Sequence, residues 1–260
     1  DYTVVDLPFF QNCLLGIEET AVSVDYDILL TMGRENECSP LKRMVENHKV
    51  DGIILMRTYT RDAHIEYLKP QGLPFVTIGS SHYPEVVQVD NDHRGACKDL
   101  VSVLLMKGIG RIGLIGGIES HVVTQNRLGG YLDAHEAAGI PVDPGIIHVN
   151  VEKSIMIERA VEKLLESKAD CIACLDDAVC IHVLNKLRKE QIAVPEKMKV
   201  ASFYDSSILA SNLPSVTSLS FDARELGRAA CKVLLELMEG KKVEPRTLLG
   251  YEVVLKESTQ

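Results

Sequence analysis

Short apolar runs alternate along this chain with longer stretches in which apolar side chains return at every third or fourth position. The first kind predicts buried strands, the second amphipathic helices. The clearest unit spans residues 86–117. Residues 86–89 read as a strand. Asp90, Asn91 and Asp92 then supply side-chain oxygens that can cap the first free N–H groups of a helix. Cys97, Leu100, Val101, Leu104 and Leu105 fall at i, i+3, i+4, i+7 and i+8, which is one helix face. Lys107-Gly108 ends it, with a cation in the last turn and a residue free to take positive φ. Residues 111–115 read as the next strand. This order predicts a right-handed crossover and a parallel sheet.

The alternation continues on both sides of that unit. Strands are predicted over 3–7, 26–31, 52–56 and 74–79, and later over 146–149, 171–175, 200–203, 215–220 and 248–254. Phe10, Cys13, Leu14, Ile17 and Ala21 mark one helix face. Ser39-Pro40 starts another helix, with Leu41, Met44, Val45 and His48 as its apolar stripe. A short helix is expected over 61–69. Helix 124–138 packs through Leu128, Tyr131, Leu132 and His135. Further on, Ile157, Ala160, Val161, Leu164 and Leu165 align, and helices follow over 178–189 and 222–239. The result is an α/β protein with parallel sheets. Roughly a dozen strands is too many for one open sheet, so two lobes are expected. No Pro/Gly/Ser-rich linker divides the chain, so the lobes join through several short crossovers. Ligands of such folds sit beyond the carboxyl ends of the strands, here in a wet gap between the lobes.

Composition narrows the function. The chain has 260 residues, 46% hydrophobic and 25% charged, with net charge −9. That is ordinary globular composition with a large core. The acidic balance argues against nucleic-acid binding by this chain itself, because phosphate contacts by Lys and Arg dominate such affinity. No run approaches the about 20 apolar residues that cross a bilayer. The N-terminus carries no basic n-region of a signal peptide, and a cytoplasmic protein is expected. Seven scattered cysteines fit reduced, buried thiols. Cys171 and Cys174 form a C-x-x-C inside a strand, where residues three apart face opposite sides and suit neither redox nor metal chemistry.

Candidate chemistry is sparse. Gly108, Gly110 and Gly113 spell G-x-G-x-x-G, yet they leave a helix and enter a strand, the reverse of the dinucleotide arrangement. They read as a helix-stop turn. No phosphate-binding loop, nucleophile elbow or zinc array occurs, and no cofactor or metal is expected. His121 follows the strand 111–115, a binding position in α/β sheets. Arg127 lies six residues on, and its planar fork suits sugar hydroxyls, a carboxylate or a solvent ion pair. Asp176 and Asp177 end a strand. One carboxylate suffices to cap the next helix, so the other can accept hydrogen bonds in the cleft. Tyr204 and Asp205 also stand at a carboxyl end. Phe9 and Phe10 follow the first strand, where their faces stack on a sugar or base or else pack a helix start. None of these groups forms a nucleophile–base–orienter set. The residues argue for binding and against catalysis.

Several ordered pieces carry a resemblance. They are Pro8-Phe9-Phe10 with Gly16-Ile17-Glu18, Val50-Asp51-Gly52-Ile53-Ile54, Pro74-Phe75-Val76-Thr77-Ile78-Gly79, and Val89-Asp90-Asn91. Arg127 with Gly130-Tyr131, Asp176-Asp177, Val194-Pro195 and Leu213-Pro214-Ser215-Val216-Thr217 follow. Together they span nearly the whole chain. In this order the chain resembles the effector-binding domain of LacI/GalR-family transcriptional regulators, which share the type I periplasmic-binding-protein fold. The resemblance implies a two-lobed α/β architecture. One lobe takes residues 1–90 plus 221–249 and the other 91–220 plus 250–260, with three crossovers near Asp90, Ser220 and Gly250. It implies a small-molecule effector (a sugar, sugar derivative or nucleobase-like compound) between the lobes. It also implies a homodimer, and operator DNA bound through a helix-turn-helix headpiece that this chain does not include. Phe9, Phe10, His121, Arg127, Asp176, Asp177, Tyr204 and Phe221 are the effector-site candidates. Arg127 matches the family's effector arginine. Asp176 replaces a frequent asparagine, Tyr204 a ligand-binding aspartate, and Phe221 a common glutamine, which makes the pocket more aromatic than most. The alternative on the same fold is the solute-binding protein of a sugar transporter.

Overall fold

The computed structural model describes residues 7–33 and 35–260. Among these residues the strands form two sheets. The first contains β1 (Ile53–Leu55), β2 (Phe75–Ile78), β3 (Gln88–Asn91) and β9 (Arg246–Leu249), in the order β1-β2-β3-β9 and all parallel. The second contains β4 (Ile112–Ile115), β5 (Ile147–His148), β6 (Cys171–Cys174), β7 (Lys199–Ser202), β8 (Thr217–Ser220) and β10 (Glu252–Val254). Its order is β10-β8-β7-β6-β4-β5, and β10 runs antiparallel to β8. Residues 248–254, one strand by pattern, are thus two strands in different sheets, split at Gly250-Tyr251. Pairing with β8 from the opposite direction also breaks the all-parallel expectation.

Helices cover both faces of each sheet. On the first lie α1 (Pro8–Val22) and α8 (Ala223–Met238), with α2 (Ser39–Glu46) and α3 (Ala63–Leu68) opposite. The second is sandwiched between α4 (His93–Met106) with α5 (Val122–Ala138) and α6 (Ser154–Glu166) with α7 (Asp177–Lys189). Cys171 and Cys174 accordingly point into different cores. Each lobe is a three-layer stack. The chain passes between lobes where β3 leads into α4, where β8 leads into α8, and where β9 leads into β10.

Local chemistry explains the helix ends. Asp92, not Asp90, caps α4 by accepting from the Gly95 N–H at 2.9 Å. Gly108 follows that helix at φ 84°, a left-handed conformation natural to glycine. Gly110 and Gly113 then lead into β4, so the glycine pattern is a turn.

Several predicted elements differ. The strand over 3–7 lies outside the described residues except for Leu7, a bend residue. Residues 26–31 form no strand. Tyr26, Ile28, Leu29 and Leu30 are 39–54% exposed. Their run of apolar residues lacks the in–out alternation that anchors a half-buried strand. Segment 25–33 instead runs along a mainly apolar cavity of about 830 Å³ beside β1, α1 and α8. His48 is not part of a helix stripe; α2 ends at Glu46, and His48 is an exposed turn residue at φ 49°. Leu132 is 41% exposed, on the solvent side of α5. No helix among the described residues is long and apolar enough to cross a membrane.

Candidate functional site

The two lobes meet along a seam lined by the carboxyl ends of their strands. In the middle stands Asp90, next to last in β3 and buried. Its Oδ2 accepts from the backbone N–H and the hydroxyl of Ser80, at 2.7 and 2.8 Å, and its Oδ1 lies 3.5 Å from His93 Nε2. Burial raises the Asp90 pKa, against the pull of the Ser80 bonds and the charge of Arg127. Burial holds the His93 pKa well below the ordinary value, and the Arg127 charge adds to this, so the ring is neutral. Arg127 projects from α5, only 9% exposed. Its Nη1 donates to the Leu175 carbonyl beyond the end of β6. Its Nε, His93 Nδ1 and both side-chain polar atoms of Asn91 are buried with no hydrogen-bond partner among the described residues.

One end of the seam is aromatic. Phe9 of the first lobe meets Tyr204 of the second edge to face, centroids 5.7 Å apart. Tyr204 stacks on Phe221, 6.3 Å away and 12° from parallel. Tyr204 and Phe221 are 6% and 8% exposed. Beyond them the seam opens into a crevice of about 620 Å³, lined by Asn12 and Arg224 from the first lobe and Tyr204, Asp205 and Ser206 from the second. Asp205 is held by Lys256, 2.8 Å away.

The other end is closed. The Thr60 N–H donates to the Ser120 carbonyl at 2.8 Å and the Val122 N–H to the Thr58 carbonyl at 3.2 Å, pairing Tyr59 with His121 as a β-bridge between lobes. The two rings touch, 5.3 Å between centroids, and Ser120 Oγ donates to Glu35. Burial, helped by the nearby Arg57 charge, pushes the His121 pKa down to about 4.

The sequence candidates therefore separate. Phe9, Arg127, Tyr204 and Phe221 gather in the middle and at the aromatic end. His121 sits at the closed end, immediately before α5. Asp176 caps α7 by accepting from the Val179 N–H at 2.7 Å. Asp177, buried, takes the Ser206 hydroxyl instead of facing open solvent; burial raises its pKa. Phe10 turns into the first lobe, where Arg57 lies 5.0 Å over its ring. The wet gap expected between the lobes is narrowed by the protein's own rings.

Asp90, His93, Arg57 and Tyr59 escaped the sequence reading. The rule that selected His121 would have found Arg57 and Tyr59, which follow β1 at its carboxyl end. The sequence pattern gives Asp90 only a capping role and a place near a crossover. Among the described residues no group of three or more His, Cys, Asp or Glu side chains converges as metal ligands.

This arrangement can grip a polar molecule but offers no activated nucleophile, and comparison with known proteins agrees. Residues 101–259 match the periplasmic binding protein-like domain family. The transcriptional regulator RegA of Clostridium saccharobutylicum is 27% identical over 96% of this chain and 78% of its own length. MalR of Streptococcus pneumoniae is 28% identical over 96% and 76%. Among solved structures, a putative LacI-type regulator from Bacillus cereus subsp. cytotoxis superposes with TM-score 0.91 at 27% identity, covering 96% of this chain and 92% of that one. The regulator CelR in complex with cellobiose gives TM-score 0.89 at 26% identity, over 96% and 79%. These relatives are transcriptional regulators, which are not enzymes. The chain belongs to the periplasmic-binding-protein-like family, in the two-lobed form that LacI/GalR-type regulators use as their effector-binding domain.

Proposed function

We propose that this domain senses a sugar or sugar derivative bound in the seam, and that the bound molecule sets the angle between lobes. The carrying observation is the set of buried polar atoms without partners on Asn91, His93 and Arg127, next to the Phe9–Tyr204 pair. Buried polar groups in folded proteins find partners. A polyhydroxyl ligand offers donors and acceptors for these atoms and an apolar ring face for the aromatics. The cellobiose complex of CelR supports the ligand class. Residues 1–90 with 221–249 then move as one body against 91–220 with 250–260. In the parent protein, a cytoplasmic homodimer, that movement changes how attached DNA-binding headpieces meet an operator. Coupling follows because ligand and DNA each favour one lobe arrangement. The regulator relatives favour this reading over a transporter's solute-binding protein.

The test is a thermal-shift screen with cellobiose, monosaccharides, sugar phosphates, nucleosides and aryl glycosides. A ligand at 100 times its Kd adds about 2.7 kcal/mol to the folded state, a rise of roughly 5–10 °C for a chain of this size. A rise with a sugar supports the reading. A rise with nucleosides alone, or with none of the set, overturns it.

A further inference from the structure

The three crossovers each contribute one aromatic ring to a single pack. His93 comes from the first, between β3 and α4. Phe221 comes from the second, between β8 and α8. Tyr251 comes from the third, between β9 and β10. Phe221 is central. Its centroid lies 4.8 Å from that of His93 and 6.4 Å from that of Tyr251. Tyr204 stacks on it from the seam, and Phe9 of the first lobe leans on Tyr204. Polar contacts anchor the outer members. Tyr251 donates its hydroxyl to Asp99 on α4 at 2.6 Å, and His93 Nε2 faces the buried Asp90.

Any change in the angle between lobes shifts these three backbone segments relative to one another. A ring wedged among all three cannot stay still while they move, because a close-packed interior answers displacement by discrete repacking. We infer that Phe221 is the positioning residue of the hinge: it ties the pose of Tyr204 in the seam to the relative setting of the three crossovers. Its nearly buried ring then acts on the lobe angle through Tyr204, beyond any ligand contact of its own. The inference rests on the two lobes hinging as proposed above.

The test needs no ligand. Spin labels are carried on noncanonical residues at exposed Lys49 in the first lobe and Lys153 in the second. Their distance distribution is measured by double electron–electron resonance in the ligand-free full chain. Phe221→Leu is expected to at least double the width of the distribution, and Tyr204→Leu to do the same. The double variant is expected to be no broader than either single one. Phe221→Tyr, which keeps the ring, retains the parent width. Phe221→Met serves if Phe221→Leu fails to fold. A variant that melts at lower temperature but keeps the parent distribution reduces Phe221 to core filling and overturns the inference. Independent, additive broadening by Tyr204→Leu and Phe221→Leu overturns it too. Because no sugar enters the measurement, its failure leaves the thermal-shift result standing, and the converse holds.

Discussion

Arg127 combines two tasks. Its Nη1 holds the Leu175 carbonyl, fixing the chain end of β6, while its charge offsets the buried Asp90. Its buried Nε has no hydrogen-bond partner among the described residues, and the proposed function gives that donor to the ligand. We expect Arg127→Ala to weaken sugar binding by about 1.5–3 kcal/mol, the scale of a hydrogen bond to a charged group. Calorimetric titration with the sugar that raises the melting temperature checks this, and an unchanged Kd removes Arg127 from the site. At this scale the sequence is partly legible. The cap at Asp176 depends on residues three apart, so its local pattern suffices. The inward turn of Phe10 and the burial of Asp90 depend on what packs over them, and no neighbour in sequence reports that.

Helices are the most legible elements, because their signal lies within a few turns. The stripe of α8 predicts Leu226, Ala230, Val233, Leu234 and Leu237 as buried; Leu226, Ala230 and Leu234 are, while Val233 and Leu237 are partly buried against the same core. Strands are less so. Residues 26–31 look like one, yet strand formation needs a paired edge, and none is paired with them among the described residues. One contact between elements was invisible in the pattern. A side-chain carbon at Gly227 on α8 would collide with the Cys13 carbonyl of α1, and one at Gly16 with the Arg224 carbonyl. The two helices pack backbone to backbone. Gly227→Ala forces them apart, at a cost of about 1–3 kcal/mol or more. The expected loss is roughly 2–4 °C in melting temperature per kcal/mol, read by calorimetry against an exposed control such as Gly110→Ala, where an added carbon meets nothing within 4 Å. A Gly227→Ala melting curve no lower than that of the parent contradicts the close packing.

At the scale of the molecule, closure of the seam excludes a proton. His121 ordinarily titrates near 6.5, and in the closed seam it does so at about 4. Between these values the opened or unfolded form binds more protons than the closed one. Stability from closure is therefore complete above pH 6.5 and is lost as pH falls toward 4. We expect acidification from pH 7 to 5 to lower the melting temperature and raise the radius of gyration in solution scattering. His121→Gln, which cannot gain that proton, should show a smaller drop over the same range. Equal drops in both proteins place the proton uptake on other histidines and dismiss this role for His121.

By itself the sequence determined the alternation of strands and helices, the family, and a binding rather than catalytic chemistry. Each follows from contacts within a few residues or from motifs kept in order along the chain. The tertiary structure alone decided which carboxylate caps and which is buried, and that Phe10 packs beneath Arg57. It also brought Tyr59 to His121, Phe9 to Tyr204, and one ring from each of the other two crossovers against Phe221. Those partners lie far apart in the chain. Their meeting is set by how two sheets and their helices pack, a property of the whole fold that no local periodicity encodes.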